Sequence, residues 1–379
     1  MALDRLPPLR FEPIFKPAIW GGQRLYRYFP PSLNNSQTPQ EGNREEQGKG
    51  LNSHAGLSGE LLESEPIGEA WVLSDQGNQS SRIPSWHDSR VPGGIIQAYK
   101  DLQGMSLRHI MQQHSQQILG QAAQKFKRYP LLFKIIDARL PLSIQVHPDD
   151  HKARQINQRK GVLTDDLGKT EAWVVLDCEE ESLIYAGLQP NVAPNHFRTA
   201  SNDLEIDNAI FSFHPQIGDC VFLRAGTVHA IGAGLFIFEV QQTSDITYRL
   251  HDWNRVDAKT GKPRELHIAE SLECIDFASG PCRPTVPQIR CTQPYSDEQL
   301  IECEYFSMNR ITCSNPISFP PSPTGRVLFC SQGAGQIIDD NAIYPMSRGN
   351  TYLMPANLPE TTFIPLEPTV LLNCQIPEN

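Results

Sequence analysis

The sequence predicts a mainly β protein built from antiparallel strands. Three observations lead to this fold class: short runs of β-branched and aromatic residues, separators of Gly, Pro and Asp between them, and few stretches with helical periodicity. The runs in the middle of the chain are YPLLFKIIDA, LSIQVHPDD, TEAWVVLDC, ESLIYAGL, GDCVFLRAGTVHAIG and GLFIFEVQQ. Because no helices alternate with these runs, a sandwich or barrel fits better than βα units.

Two segments of the N-terminal half depart from the strand pattern. Residues about 31–66 contain no aromatic residue and abundant Asn, Gln, Gly, Glu and Ser, which predicts a polar surface insertion without chemistry. In the segment about 103–128, apolar residues recur mostly at three- and four-residue intervals, which predicts one or two amphipathic helices. The apolar residues of this segment are Leu107, Ile110, Met111, Ile118, Leu119, Ala122 and Phe126.

The C-terminal part is predicted to form a second, smaller β domain. The stretch FASGPCRPTVPQ interrupts the strand pattern, and we place a linker at about 276–295. Strand-like runs return beyond it in YFSMNRITC, GRVLFCSQ, GQIIDD, NTYLMPA and TVLLNCQI. The predicted domains are therefore 1–275 and 296–379. The run RGNTYLMPA faintly echoes GDCVFLRAG, which leaves an internal duplication open.

Length and composition indicate an ordinary globular protein. The chain has 379 residues, enough for about two domains, and 39% of them are hydrophobic. No apolar run reaches the ~18–20 residues of a membrane span. The start, MALDRLPPLRFEPIF, has charges and prolines where a secretory signal would need an apolar stretch. We therefore expect a soluble, cytoplasmic protein with no membrane partner.

The net charge of −10 argues against a nucleic-acid partner, because phosphate backbones need clustered Lys and Arg. A small anionic substrate would need a local basic pocket instead. The nine cysteines include no CxxC pair, and we expect them to be reduced thiols.

Four polar residues on predicted strands form a candidate metal site. In SIQVH, the strand period of two places Ser143, Gln145 and His147 on one face. Glu171 begins the TEAWVVLDC strand, and His229 lies between small residues in AGTVHAIG. Two imidazoles, a carboxylate and an amide oxygen suit Zn²⁺ or another first-row divalent ion. The alternative is that each histidine only satisfies a local hydrogen bond, and spacing does not decide between the two.

The motifs that carry these residues occur in the order found in a known family. QVHPDD, GKTEAW, AGTVHAIG and FEVQQTSDITYRLHDWNR together resemble the type I mannose-6-phosphate isomerase family, of the shorter bacterial kind. IWGGQRL, GEAWVLSD and PLLFKIIDA extend the resemblance over nearly the whole chain apart from the polar insertion. One departure is Arg224 in LRAGTVHAIG, where many cupins carry Pro.

The resemblance implies a fold and a cofactor. The implied fold is two cupin-type (jelly-roll) β-barrels, with the helical segment in the first domain and no metal ligands in the second. The implied cofactor is one zinc ion per chain in the first barrel, held by Gln145, His147, Glu171 and His229. The faint internal echo would then reflect the two barrels.

The activity that the resemblance implies is the interconversion of mannose 6-phosphate and fructose 6-phosphate. This aldose–ketose isomerisation passes through a cis-enediol, so it needs a base near C1 and C2 and stabilisation of a negatively charged oxygen. The partner is then a small phosphorylated sugar. We expect a monomer or a weak homo-oligomer.

Arg249 and Glu239 are the candidate catalytic residues. The resemblance places Arg249 in the active site, where its cation could stabilise an enediolate or hold the ring-opened sugar. The alternative for Arg249 is a salt bridge with Asp245. Glu239 lies among apolar residues on a predicted strand, so its carboxylate needs a partner or a raised pKa. It is a candidate base, and pairing with Arg249 or a lysine is its alternative.

Four further residues are candidates for substrate binding. Lys169 should share a strand face with Glu171, and Lys134 lies on the FKIID run, so either could bind phosphate or relay a proton. Ser143 shares the face of the metal residues and could donate to the phosphate. A solvated or packing role stays open for these three. Asp245, in the same motif as the catalytic arginine, is the fourth candidate.

Two other functions stay open. An iron-dependent cupin dioxygenase would usually carry an HxH motif, whereas Gln145 replaces its first histidine here. A non-catalytic sugar-phosphate-binding cupin would keep the barrel without turnover. Asp149, Asp150 and His151 invite interpretation as extra metal ligands. Pro148 breaks the strand, however, and Asp-rich turns of this kind are ordinary caps, which we expect here instead.

Overall fold

The computed structural model describes most of the chain, with a few gaps. The largest gap covers most of the predicted polar insertion, since residues 30–64 lie outside the described residues. The described residues are 5–29, 65–84, 99–162, 168–199, 206, 208–256, 261–340 and 342–378.

The described residues form mainly antiparallel strands, so the predicted mainly β class is confirmed. The strands are β1 Leu9–Arg10, β2 Ile14–Gly22, β3 Ile67–Leu73, β4 Asp75–Gln76, β5 Gln79–Ser80, β6 Leu131–Ala138, β7 Ile144–Val146, β8 Glu171–Asp177, β9 Ile184–Leu188, β10 Ile210–Phe213, β11 Cys220–Leu223, β12 His229–Ile231, β13 Leu235–Gln242, β14 Tyr248–His251, β15 Gln288–Cys291, β16 Ser296–Glu302, β17 Ser307–Cys313, β18 Ile317–Phe319, β19 Arg326–Gln332, β20 Ala334–Ile338, β21 Ile343–Ser347, β22 Thr351–Met354, β23 Thr361–Pro365 and β24 Thr369–Gln375. The helices are α1 Arg24–Tyr28, α2 Leu107–Leu119, α3 Asp150–Lys160, α4 Pro194–Thr199 and α5 Ile268–Cys274, with a 3₁₀ turn at Gly120–Ala122.

Two sheets face each other and enclose the candidate site. The six-stranded sheet has the order β11-β8-β13-β6-β2-β3, and the five-stranded sheet has the order β10-β9-β12-β7-β14. One buried apolar cluster joins them, with Trp173 and Ile237 from the first sheet and Ile184 and Ile231 from the second. Shared burial of this kind holds the inner faces of two sheets together.

The six-stranded sheet is buried on both of its faces. Along β13, Leu235 and Ile237 point into the space between the two sheets, whereas Phe236 and Phe238 join a different core on the other side. The strand period of two produces this division. A sheet covered on both faces is apolar at nearly every position, which explains the uninterrupted apolar start of LFIFEVQQ.

The second core connects the six-stranded sheet to the C-terminal sheets. A seven-stranded sheet, β1-β22-β19-β24-β17-β16-β15, and a four-stranded sheet, β18-β23-β20-β21, contribute to this core. The rings of Phe238 and Phe329 stack across the junction with centroids 4.4 Å apart. Strand β1 pairs with β22, with Leu9 opposite Leu353, so the N-terminal segment completes a C-terminal sheet. The domain boundaries and the two-barrel arrangement stay predictions.

The predicted helical segment contains α2, which is shorter than the segment itself. Ser106 caps its N-terminus by accepting a hydrogen bond from His109 N, and Gly120, at φ +47°, follows its last residue. Helix α3 was not predicted. Its buried apolar residues are only Ala153 and Ile156, too few for a helical pattern.

Replacing Phe329 by alanine is expected to lower the free energy of unfolding by about 3–5 kcal/mol, because the ring is fully buried between the sheets. Phe211, a partly exposed residue stacked on Phe213, provides the control, and its alanine variant should lose roughly 1 kcal/mol. Chemical denaturation of both variants measures the difference. Equal losses would contradict the tight packing at the Phe238–Phe329 junction.

Candidate metal centre and cavity

Strand register places three of the candidate residues side by side. On the five-stranded sheet, His229 of β12 lies opposite Gln145 of β7, and Arg249 of β14 lies opposite the same Gln145. Residues opposite each other in neighbouring strands share a face of the sheet. The register therefore sets a histidine, an amide and a guanidinium in one row across three strands.

His147, Glu171 and His229 form a buried group that could hold a metal ion. One potential ligand atom from each lies within 4.8 Å of the other two. The Nε2 atom of His147 is 3.4 Å from Glu171 Oε2, and the Nε2 atom of His229 is 3.2 Å from Glu171 Oε1. Each of the three residues is only 1% exposed, so no bulk water compensates their polar atoms.

The hydrogen bonds of the two histidines leave their Nε2 atoms as acceptors. His147 Nδ1 donates to Ile246 O at 2.8 Å, and His229 Nδ1 donates to Thr227 O at 2.8 Å. This tautomer directs the Nε2 lone pairs towards Glu171, as in metal-binding histidines. Among the described residues, Glu171 Oε1 has no hydrogen-bond partner, and it faces the acceptor Nε2 of His229. Converging acceptors without a proton between them fit a bound cation.

Gln145 lies at the same point but turns its amide nitrogen towards the imidazoles. Gln145 Nε2 is 3.3 Å from His229 Nε2 and 3.5 Å from His147 Nε2. Its Oε1 accepts a hydrogen bond from Ser143 Oγ at 3.3 Å. A half-turn of this amide would be needed before its oxygen could serve as a ligand.

Lys169 contacts the group from the side of the six-stranded sheet. Its Nζ donates to Glu171 Oε2 in a short contact and lies 2.9 Å from His147 Nε2. Its backbone N–H donates to Pro148 O at 3.0 Å, which ties the segment before β8 to the residues that follow β7. The ammonium therefore supplies part of the positive charge that this group of acceptors attracts.

Burial has the largest effect on the pKa values of the three residues that could bind a metal. Burial, and next the Lys169 charge, lowers the pKa of His229 to about 4 and the pKa of His147 well below its usual range. Burial raises the pKa of Glu171 to about 7, although Lys169 opposes this rise and Glu239 adds to it. Neutral imidazoles are the form that binds metal, and a bound cation would favour the ionised carboxylate.

A cavity of about 320 Å³ opens beside this group, between the two sheets. Charged side chains dominate its wall, with four cationic and three acidic groups. The charged and polar lining residues are Lys134, Lys169, Arg249, Arg264, Glu69, Glu239, Asp245, Ser143, Gln145 and Thr247, and the others are Trp20, Ile136, Leu142, Trp173 and Ile231. A wall with one more cationic than acidic group suits a small polar anion.

Glu239 is paired with lysines rather than with Arg249. Its Oε2 accepts from Trp173 Nε1 at 2.9 Å, and its Oε1 is 3.4 Å from Lys134 Nζ and 4.0 Å from Lys169 Nζ. Burial alone would raise the pKa of Glu239, but the two ammonium groups outweigh it and lower the pKa. The carboxylate is therefore ionised at neutral pH, and its Oε1 makes no hydrogen bond to any described residue.

The remaining predicted residues also reach the cavity. Arg249 donates from Nη1 to Glu265 O at 2.8 Å, while its buried Nε has no partner in the described part of the chain. Asp245 lies in the cavity wall, and its charge helps to raise the pKa of Lys134, together with Glu69 and Glu239 and against burial. The structure thus brings every predicted site residue to the metal group or to the cavity. Their individual roles stay predictions.

Two charged cavity residues were not predicted from the sequence. Glu69 accepts from Trp71 Nε1 at 2.6 Å and lies 3.4 Å from Lys134 Nζ. Its place on β3 in the motif GEAWVLSD was the available signal, because a carboxylate on a largely buried strand needs a partner. Arg264 lies outside any strand, and no periodicity marks it.

The fold and the site together define a mainly β protein with a buried histidine–glutamate group that could bind a metal beside a charged cavity. The model of the type I phosphomannose isomerase catalytic domain matches residues 49–175. The mannose-6-phosphate isomerase ManA of Bacillus subtilis is 32% identical over 360 residues, which cover 93% of this chain and 94% of ManA. The chain therefore belongs to the type I mannose-6-phosphate isomerase family.

Solved structures share the fold. The mannose 6-phosphate isomerase from Bacillus subtilis superposes with a TM-score of 0.76 at 24% identity, covering 97% of this chain and 99% of that one. A structure titled as a putative mannosephosphate isomerase from Archaeoglobus fulgidus gives a TM-score of 0.70 at 18% identity, covering 99% of both chains. Separately, none of the helices in the described residues is long and apolar enough to cross a membrane.

Proposed function

We propose that this chain interconverts mannose 6-phosphate and fructose 6-phosphate through a cis-enediol, with one zinc ion held by Gln145, His147, Glu171 and His229. The observation that carries the proposal is the position of the buried acceptor group beside a cavity whose wall carries four cations and three acids. Membership of the isomerase family and the names of its relatives support the choice of substrate.

The donor set suits zinc, because neutral imidazoles, a carboxylate and an amide oxygen are borderline and hard ligands that a first-row divalent ion accepts. When bound, the ion supplies Lewis-acid polarisation of the sugar oxygens. The orphaned Glu171 Oε1 and the inward Nε2 atoms of both histidines are the atoms that would hold it. Gln145 would contribute Oε1 after rotation of its amide.

Glu239 is the proposed base. In the direction from aldose to ketose, the C2–H bond breaks, the proton passes to a carboxylate, and the electron pair forms the C1–C2 double bond while the carbonyl oxygen gains a proton. Return of a proton to C1 and loss of the O2 proton complete the ketose. The ionised state of Glu239 suits this role, as does its Oε1, which accepts no hydrogen bond from the described residues. Lys169, whose Nζ contacts Glu171, would relay the oxygen proton.

The cations of the cavity have two tasks in this proposal. Arg249 stabilises the negative oxygen of the enediolate, since its buried Nε has an unused N–H. Lys134, Arg264 and Ser143 are available to the phosphate, and Asp245 orders the cationic wall. The wall carries more cationic than acidic groups, and the phosphate of a substrate would balance this excess positive charge.

A coupled assay that converts mannose 6-phosphate to fructose 6-phosphate, with and without added zinc, tests the function. We expect turnover that chelation abolishes and zinc restores, and incorporation of deuterium at C2 from heavy water. A folded, zinc-loaded protein that shows neither turnover nor exchange would refute the isomerase.

The same assay, together with metal analysis and an oxygen-uptake measurement, separates the two alternatives. A non-catalytic sugar-phosphate-binding protein would bind mannose 6-phosphate without exchange at C2. An iron-dependent dioxygenase would contain iron and consume oxygen, but the charged cavity and the family membership favour the isomerase. The proposal includes a cytoplasmic protein that acts as a monomer or a weak homo-oligomer.

A further inference from the structure

We propose that Asp252 is a positioning residue, which holds the guanidinium of Arg264 in the cavity wall so that Arg264 binds the phosphate of the substrate. This inference rests on the proposed function, because it assigns a phosphorylated ligand to the cavity. Asp252 itself does not line the cavity and therefore acts through Arg264.

The contact between the two side chains is a two-point one. Arg264 Nε donates to Asp252 Oδ2 at 2.8 Å, and Arg264 Nη2 donates to Oδ1 in a second, shorter contact. The carboxylate is buried at 5% exposure, whereas the Arg264 side chain is 26% exposed. Paired hydrogen bonds fix the plane of a guanidinium as well as its place, which a single contact does not do.

The remaining nitrogen of Arg264 is available to a ligand. Nε and Nη2 donate to Asp252, and none of the residues that the structure describes accepts a hydrogen bond from Nη1. Because Arg264 lines the cavity, a phosphate oxygen could accept from this edge of the guanidinium. Arginine suits this task, since its fork binds a carboxylate on one edge and leaves donors on the other.

Arg264 needs an anchor because a second guanidinium lies near it. The segment that carries Arg264 is tied to β14, where Arg249 Nη1 donates to Glu265 O at 2.8 Å and His267 N donates to Arg249 O at 2.7 Å. Burial, and next the Arg264 charge, lowers the pKa of Arg249. The Asp252 charge acts in the opposite direction and raises the pKa of Arg249, so this carboxylate opposes the repulsion between the two guanidinium groups.

Asp252 also contacts Arg255. A loss of function on substitution of Asp252 could therefore come from this second contact rather than from Arg264, and the experiment must separate the two. Arg255 Nη2 donates to Asp252 Oδ1, and Arg255 Nη1 donates to Pro141 O in the segment before β7. The residues between them, Trp253 and Asn254, have φ values of +55° and +51°. Arg255 does not line the cavity, so it provides a matched control on the same carboxylate.

The test compares Asp252→Asn with Arg255→Lys in the full-length, zinc-loaded protein. For Asp252→Asn we expect the KM for mannose 6-phosphate to rise about tenfold while kcat stays within about threefold, because a phosphate contact binds ground and transition states alike. Arg255→Lys should lower the melting temperature but leave KM within about twofold. An unchanged KM for Asp252→Asn, or an equal rise in KM for Arg255→Lys, overturns the proposal.

Arg264→Lys supplies the second variant, which keeps the inference testable if Asp252→Asn does not fold. Lysine retains the positive charge but lacks the planar fork that donates two hydrogen bonds to Asp252. The KM of Arg264→Lys for mannose 6-phosphate should therefore also rise about tenfold. In the double variant, Asp252→Asn should add little to Arg264→Lys, and additive effects would overturn the coupling. If the wild-type protein does not isomerise mannose 6-phosphate, the proposed function fails. If the wild type is active and KM is unchanged in both variants, the roles of Asp252 and Arg264 fail while the proposed function stands.

Discussion

His229→Ala is expected to lower kcat/KM for mannose 6-phosphate by about three orders of magnitude or more and to leave a folded protein without stoichiometric metal. The imidazole is buried, its Nδ1 is committed to Thr227 O, and its Nε2 faces Glu171 Oε1 at 3.2 Å. Alanine removes one of the four proposed ligands, and because the site is buried, water has little access to replace the missing ligand. Coupled kinetics, metal analysis and circular dichroism of the purified variant measure the three parts of this expectation.

A matched histidine outside the site separates loss of the metal from a general effect of the substitution. His214 is exposed, and its Nδ1 donates to Ser182 O at 3.1 Å. It is not one of the four proposed metal ligands. His214→Ala should keep its metal and a kcat/KM within about twofold of the wild type. Wild-type activity in a metal-free His229→Ala protein would show that the buried group is not the catalytic metal site.

Glu239→Gln is expected to lower kcat by about 10²–10⁴-fold while the metal is retained. The amide keeps the size of the carboxylate and can still accept from Trp173 Nε1, which now donates at 2.9 Å. It cannot take a proton from carbon, so deuterium exchange at C2 should fall together with kcat. Single-turnover kinetics in heavy water, with parallel metal analysis, measure both quantities.

Glu69 is the comparison for this second prediction, because it also lines the cavity and lies 3.4 Å from the same Lys134 Nζ. Glu69→Gln changes the charge beside that lysine without removing the proposed base, and kcat should fall by no more than about tenfold. If Glu69→Gln abolishes exchange and Glu239→Gln preserves it, the roles of the two carboxylates must be interchanged.

Local strand geometry was sufficient to predict much of the site. The period of two in SIQVH placed Gln145 and His147 on one face, and the same rule placed Lys169 with Glu171, whose side chains are in contact. His229 had no such signal, because it pairs with Gln145 across a register that only the folded sheet defines. Its assignment depended on the family resemblance of the surrounding motif.

The missed residues depend on side-chain contacts that no sequence period predicts. Arg264 is held by the carboxylate of Asp252, which directly follows β14, and no strand or helix period in the sequence pairs the two residues. The partner of Glu69 is Lys134 on the neighbouring strand β6, and sequence alone gives no register for that pair. Helix α3 was missed for a different reason. It has too few apolar residues for a helical pattern, and its main sequence signal is the N-terminal cap Asp149.

The pairing of β1 with β22 has a consequence for how the protein is made. Leu9 can pair with Leu353 only after nearly all the described chain has been translated, and Phe238 can stack on Phe329 only once β19 has been made. At about 5–20 residues per second, the ribosome needs several seconds to add the C-terminal strands after β13 has emerged. During that interval the nascent chain presents an uncovered apolar sheet face, so a holding chaperone is expected to associate with it before release and not afterwards.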